Sequence, residues 1–449
     1  MAISERTLTN STASGEEGTV GYASHDVPEP DLLKACVHCG MCLSSCPTYR
    51  LTGREMSSPR GRLWMMSAVG ESRLDLLDPA FDNQMYECLN CRACEAVCPS
   101  GVQYGPLVEA ARAQLEQHRP RPLWQRALRG ATLGWTFAEA KRFRAAIRTT
   151  SLYQRSGLSR LARTTGILRL LKLEDAEALL PRLTAPFLVP GKERWGRRDG
   201  TPADLFNGCV MSTVFPETNR AAGRVLARNG FSVTVPAAQQ CCGALQVHSG
   251  MFDEARRLAR RNVDAFEGDG ASPIVVTAAG CGAALKEYGH LLKDDPDFAA
   301  RAARFSARVQ DVTELLGAIE LVPPTGTIDR TVTYQEPCHL AHAQRVTVQP
   351  RRLMAAIPGL KLVEMRESAL CCGSAGIYNI LRAEMADALG DRKVGHAADT
   401  GAEEVVTANP GCYLQLVSSL RRNGHDMRVR HIVDLLDESY QAGESAASP

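Results

Sequence analysis

The sequence predicts an α+β multidomain chain: a helical, cysteine-dense domain followed by a duplicated α/β module. Three observations carry this. A four-cysteine run ending in proline occurs twice between residues 36 and 99. A second pattern, a lone cysteine, then Cys-Cys-Gly, then a lone cysteine, occurs twice after residue 200. The two copies of that second pattern stand 129 to 131 residues apart at all four positions, the signature of an internal repeat.

Composition narrows the class. A chain of 449 residues, 44% hydrophobic and 23% charged, is ordinary for a globular protein, and about 150 residues per domain suggests roughly three domains. The net charge of +2 gives the whole chain no bias toward nucleic acid. The start, M-A-I-S-E-R-T-L-T-N, has no basic stretch leading into an apolar one, and no run approaches about 18 apolar residues. A cytoplasmic location is therefore expected, and there sixteen cysteines point to metal rather than disulfides.

Along the chain, residues 1–30 are rich in Ser, Thr, Gly and Glu and read as a disordered tail. Residues 31–118 hold the first eight cysteines. Ser-Ser-Pro at 57–59 is a helix start, so helices are expected between and after the cysteine runs. Residues 119–200 form a cysteine-free basic connector. From Arg119 to Lys172 there are thirteen Lys or Arg and one acid, Glu139, interleaved with Leu, Trp, Phe and Ile. That pattern predicts helices with a basic face, either a solvated connector or a docking face for an acidic partner or anionic lipid.

Residues 201–325 and 326–449 are the repeated modules. In the first, A-D-L-F-N, F-S-V-T-V-P and P-I-V-V-T-A-A-G read as strands leading to Cys209, the Cys241–Cys242 pair and Cys281. In the second, V-T-Y-Q-E-P, K-L-V-E-M and E-E-V-V-T-A-N lead to Cys338, Cys371–Cys372 and Cys412. Helical spacing separates the strands over 217–229 and 253–266, so each module is a parallel sheet with cysteines at its carboxyl edge, where such sheets place ligand sites.

The first eight cysteines follow C-x2-C-x2-C-x3-C-P, at Cys36, Cys39, Cys42, Cys46 and again at Cys88, Cys91, Cys94, Cys98. Thiolates at every third residue wrap three corners of an iron–sulfur cube. The fourth, before proline, serves the other cube. One [4Fe–4S] cluster is thus expected on Cys36, Cys39, Cys42 and Cys98, the other on Cys88, Cys91, Cys94 and Cys46, in a ferredoxin-type domain. Paired zinc sites would leave the third cysteine of each run unused. Arg60 and Arg62 either lie near the clusters or are solvated.

The second pattern brings four thiols together per module: Cys209, Cys241, Cys242, Cys281 in one and Cys338, Cys371, Cys372, Cys412 in the other. Each set suits a further metal or iron–sulfur centre, with a metal-free thiol cluster or labile disulfide as the alternative. Gly243 and Gly373 give the backbone freedom that aims two consecutive thiols at one place. His248, His339 and His342 stand nearby as ligands or proton carriers, or as ordinary structural histidines.

With A-C-V-H-C-G-M-C, P-R-G-R, C-P-S-G-V-Q-Y, A-A-G-C-G-A-A-L-K-E-Y-G and L-C-C-G-S-A-G-I-Y in place, the chain resembles the glycolate oxidase iron–sulfur subunit over about residues 32–436. Similar layouts occur in lactate-utilisation proteins, the anaerobic glycerol-3-phosphate dehydrogenase small subunit and heterodisulfide reductase subunits. The resemblance implies an electron-transfer subunit of a glycolate (2-hydroxy acid) dehydrogenase. A partner subunit carrying FAD would oxidise glycolate to glyoxylate, and a second flavoprotein-like subunit would complete the complex. Electrons would pass to a quinone-type acceptor, with peripheral membrane association implied. The chain has no convincing dinucleotide fingerprint, so no substrate site is expected on it. The lactate and glycerol-3-phosphate readings remain alternatives, as does a heterodisulfide-reductase-like thiol/disulfide enzyme. In that last group five cysteines hold a noncubane cluster; here the fifth position is Ala284 in one module and Gln415 in the other. A metal-stabilised interaction protein whose basic region binds nucleic acid or lipid is the remaining reading, and no stacking motif or DNA-reading helix appears.

Overall fold

Short cysteine loops and proline-started helices build the first part of the chain. The computed structural model describes residues 20–23, 25–170, 177, 183 and 186–447. Ser58 caps helix α1 (Pro59–Gly70), its hydroxyl accepting from the Gly61 N–H at 3.0 Å. Asp78 caps α2 (Pro79–Glu87), and α3 (Tyr104–His118) closes the layer. Leu63, Met66, Phe81, Met85, Leu107, Val108 and Leu115 from these helices form one core with the cysteine loops. The expected disordered tail falls mostly outside the described residues, and its last stretch is corrected by the structure. Val20 donates to Asp75 at 3.0 Å, the Tyr22 hydroxyl to Met66 O at 3.0 Å, and Asp26 pairs with Arg256 of the first module.

The connector is mostly helical from Leu123 to Leu170, with α4 (Ala140–Arg155) its longest element. Its end departs from expectation. Strand β1 (Arg194–Trp195) pairs antiparallel with β3 (Phe231–Thr234), so the first module's sheet begins before residue 201.

That sheet runs β1-β3-β2-β4-β5, with β2 (Thr201–Phe206), β3, β4 (Ile274–Val276) and β5 (Val309–Asp311) parallel. The second runs β7-β6-β8-β9, all parallel: β6 (Arg330–Tyr334), β7 (Leu360–Leu362), β8 (Glu404–Thr407) and β9 (Arg428–His431). Apart from β1 the strand orders are the same, so the repeat is one of fold. The central strands β4 and β8 are buried at every position, as helix-covered parallel strands are. In both sheets the chain first steps to one side of the first strand and then crosses to the other. The first and last cysteines of each set flank that switch point.

The modules share a core: Leu205, Val275, Val332, Tyr334, Val406 and Ile432 belong to one packed cluster. Helix α5 (Pro216–Arg228) lies against α6 (Ile432–Ala447), joined by Arg224–Asp437 at 2.6 Å and Thr218–Asp434 at 3.2 Å. Beside this seam His431 is 4% exposed, with Nε2 2.9 Å from Thr277 O and Nδ1 accepting from the Val433 N–H at 3.2 Å. Both nitrogens are used by the neutral ring, and burial pushes its pKa down to about 4. An unfolded histidine takes a proton near pH 6.5, so the folded state loses stability as pH falls through 6.5 toward 4. Between pH 7 and 5 His431 should account for a loss of about 2 kcal/mol. Thermal unfolding at the two pH values, with and without His431→Gln, measures it: the variant should show the smaller drop.

Candidate iron–sulfur centres

Both cysteine loops carry the same backbone device. In the first, His38 and Gly40, on either side of Cys39, have φ of 55° and 84°. In the second, Asn90 and Arg92, on either side of Cys91, have φ of 50° and 61°. Left-handed residues before and after the middle cysteine coil each loop so that its thiols face one hollow. For Arg92 this conformation costs on the order of 1 kcal/mol. Its guanidinium is held by Glu95, with Nε at 3.0 Å, and by Glu287 of the first module. Gly40 occupies the matching place at a φ of 84°, which glycine adopts without strain.

The hollows sort the thiols across the two runs. Cys36, Cys39, Cys42 and Cys98 line one, beside Arg60, and Cys94 lines it as well. Cys46, Cys88, Cys91 and Cys94 line the other, beside Arg62. Pro59, Cys94 and Tyr104 touch both, so the hollows are neighbours. All sixteen cysteines are free thiols. Among the described residues no three His, Cys, Asp or Glu side chains converge on a point for a single ion. Four thiols around a hollow, with no carboxylate among them, are a donor set that fits an iron–sulfur cube.

The two hollows differ in exposure. Cys39 is exposed and Val37 and Met41 beside it are 67% and 56% exposed. Cys46, Cys88, Cys91 and Cys94 are buried. Polar groups fix the inner site. The Asn90 N–H donates to Cys88 Sγ at 3.3 Å, the Tyr104 hydroxyl reaches it at 3.7 Å, and Thr48 lies 3.3 Å from Cys46 Sγ. Arg62 is fully buried, donating to Gln84 O at 2.8 Å and pairing with Glu87 at 3.0 Å. Arg60 hydrogen-bonds His38 O at 3.2 Å. Of the two sequence readings for these arginines, the structure gives the one that places them at the sites.

In the modules the thiols gather in pairs. Cys209 and Cys241 are 3.8 Å apart and Cys242 and Cys281 3.3 Å. In the second module Cys338 and Cys371 are 4.0 Å apart, and Cys412 lies beside Cys372. One thiol of each adjacent pair is strongly acidified. Cys241 is lowered by hydrogen bonds from Cys209, Cys242 and backbone N–H groups, and Cys372 by Cys371, Cys412 and the Ser374 N–H. Gly243 and Gly373, at φ of 79° and 91°, shape both turns. Gly373 faces Ala386 so closely that a Cβ would lie 2.5 Å from its carbonyl oxygen.

The two module sites have different neighbours. Cys338 and Cys371 pack with Leu89, Cys91 and Ala93 of the second cysteine loop. The Tyr378 hydroxyl donates to Glu87 O at 2.9 Å, and His339 Nε2 lies 2.9 Å from Asn90 O. Cys209, Cys241 and Cys242 pack instead under Ala138 and Phe143 of the connector. The histidines make hydrogen bonds beside the sites: His342 with Ala369 O at 3.0 Å, and His248 with Asn90 and Glu109, both at 3.1 Å, while His339 Nδ1 is buried without a partner among the described residues. Burial pushes His248 and His339 down to about 4.

One residue of the second site gave no sign in the sequence. Lys393, on α7 (Ala383–Ala398), is 1% exposed, with its ammonium on Glu367 O and, at 3.1 Å, Ser368 O. Burial pushes it down to about 8, while Cys372, Cys371 and Cys412 pull it back up. The helix in the first module that corresponds to α7 (Phe252–Ala265) places neutral Asn262 there, bonded to Cys241 O at 2.9 Å.

Comparison with known proteins follows the same division. Residues 32–102 match the 4Fe-4S dicluster domain, and 203–286 and 332–417 each match the cysteine-rich CCG domain. Residues 124–180 match the linker region of the glycolate oxidase iron-sulfur subunit. The probable glycolate oxidase iron-sulfur subunit of Bacillus subtilis (strain 168) is 39% identical over 429 residues, 92% of this chain and 94% of its own length. The glycolate oxidase iron-sulfur subunit of Escherichia coli (strain K12) is 35% identical over 413 residues, 91% and 95% of the two chains. A crystal structure of a hypothetical protein from Helicobacter pylori shares the fold at a TM-score of 0.50 with 10% identity, over 87% of this chain and 69% of that one.

Proposed function

This chain belongs to the glycolate oxidase iron–sulfur subunit family, and from that premise we propose that it conducts electrons from a partner flavin subunit oxidising glycolate to a quinone-type acceptor. The observation that supports this best is the pair of adjacent hollows, each lined by the four thiols that a two-cube ferredoxin-type arrangement requires. Cys36, Cys39, Cys42 and Cys98 would hold the first [4Fe–4S] cluster, and Cys46, Cys88, Cys91 and Cys94 the second. Bound there, the clusters supply one-electron steps between the two-electron chemistry of a flavin and the acceptor.

The chain's own residues give the path a direction. Cys39, Val37 and Met41 offer the first site to a docked FAD-containing subunit. Arg60 and Arg62 offset the negative charge of loaded thiolates. The Asn90 N–H and the Tyr104 hydroxyl hold Cys88 Sγ and raise the potential of whatever it ligates. The second loop then abuts Cys338 and Cys371, making the second module the next station inward. Among the described residues no helix is long and apolar enough to cross a membrane, so contact with a membrane acceptor would be peripheral.

Anaerobic co-purification with the flavin subunit tests this. The complex should hold about eight irons on this chain, and glycolate should bleach the flavin and then the iron–sulfur absorbance. Iron-free chain, or flavin reoxidised by quinone equally fast without this subunit, would reject the proposal.

A further inference from the structure

The basic connector carries cations and large apolar side chains that the rest of the described chain leaves exposed. Between Arg119 and Lys172 it carries thirteen cations against Glu139 alone, so the remainder of the chain nets minus ten. Large apolar side chains stand out of the same stretch: Leu123 is 81% exposed, Trp124 65%, Leu128 56%, Trp135 55%, Leu152 67% and Leu170 82%. Helix α4 shows how the two faces divide. Phe143 is buried and Ile147 half-buried, both packed with Cys209, Cys241 and Cys242, while Arg148, Leu152 and Arg155 point outward. Arg142 stacks over Trp135 at 4.6 Å. Among the described residues Arg126, Arg144, Arg155 and Arg160 meet no carboxylate.

We infer that this face lies on an anionic lipid bilayer, with the leucines and tryptophans in the headgroup layer and the arginines on lipid phosphates. Short helices with protruding apolar residues and unpaired cations of one sign are the makeup of an interfacial surface. A plane of phosphates answers such an array at every point, and tryptophan favours that depth. Trp124 and Leu128 border a cleft shared with Leu245, Ile377 and Leu381, while Trp135, Leu152 and Leu170 stand clear of it. This inference rests on the quinone-acceptor reading for its purpose, since a lipid-soluble acceptor would be met at that face.

Sedimentation of the iron-loaded full chain with quinone-free vesicles tests it. Vesicles of phosphatidylcholine with about 30 mol% phosphatidylglycerol should bind it, pure phosphatidylcholine should not, and raised salt should release it. The triple variant Arg144→Glu, Arg155→Glu, Arg160→Glu should bind at least about a hundredfold more weakly, at roughly fivefold per charge lost. Brominated lipid should quench the unaltered protein. Trp124→Phe with Trp135→Phe should remove that quenching, and Trp64→Phe, on an exposed residue of α1, should leave it intact. This second measurement stands even if the charge variant fails to fold. Equal binding to neutral vesicles, quenching through Trp64, or loss of vesicle binding when the flavin subunit is attached would overturn the inference. Binding to vesicles without any quinone reduction would keep the lipid face and reject the acceptor.

Discussion

Cys91→Ser should be the most damaging cysteine substitution in the chain. Its thiol lines the inner hollow, it is 7% exposed, and it packs with Leu89, Ala93, Cys371 and Tyr378. A serine hydroxyl is a poor substitute for a soft thiolate at iron. It would also leave a buried polar group without a partner, a cost of about 1–3 kcal/mol. Iron per chain should fall from about eight to about four. Electron flow to quinone should fall by more than the roughly 10–100-fold that loss of an outer-shell partner costs. Reduction of the partner flavin by glycolate should continue unchanged. Cys39→Ser, at an exposed thiol, should remove the other cluster and halt the same flow with little effect on melting temperature. Iron and acid-labile sulfide analysis, thermal melting and flavin bleaching separate the two. Full iron content and undiminished quinone reduction in Cys91→Ser would sink the ligand assignment.

Those thiols could be read from spacing because a loop that wraps a cube needs cysteine at every third residue, whatever lies between. The residues between were less legible. Gly40 announces a left-handed turn, but Arg92 fills the same place in the second loop and nothing in its local sequence says so. Its partner Glu287 is 195 residues away. The strands before Cys281 and Cys412, I-V-V and E-V-V-T, stand out as β-branched runs because they are buried at every position. By contrast β5 and β9 read V-Q-D and R-V-R-H, three and four residues mixing charge with valine. They are edge strands, and Arg428 and Arg430 of β9 serve the buried Glu404, at 2.7 and 3.9 Å. Residues 20–30 misled through composition. Serine, glycine and proline there are compatible with disorder, yet Tyr22 and Asp26 find partners that only the folded domain supplies.

Lys393 is the sharpest case of a hidden residue, and its replacement has an effect whose sign is informative. Asp391-Arg392-Lys393 looks like a solvated charge run. The buried face of α7, however, repeats at Ala386, Gly390, Lys393 and Ala397, which carries the ammonium into the core beside the second module's thiols. With the pull of the nearby thiols included, the buried ammonium is still disfavoured by about 3 kcal/mol, its pKa being brought from 10.5 to about 8. Further negative charge on its neighbours Cys371, Cys372 and Cys412 would offset that. Lys393→Met keeps the volume and removes the charge. If the second module works with neutral thiols, the variant should be more stable by about 1–3 kcal/mol, with its redox behaviour unchanged. If the site works as a thiolate centre, the variant should lose stability in the loaded protein, and the centre should be harder to reduce or fail to assemble. The counterpart Asn262→Met in the first module should show no such dependence on loading, because no buried cation stands there. Melting temperatures of loaded and iron-depleted protein, with a redox titration of the loaded form, decide between the two. The thiolate reading is the expected one, since the fold carries a 1% exposed ammonium into the core beside this site.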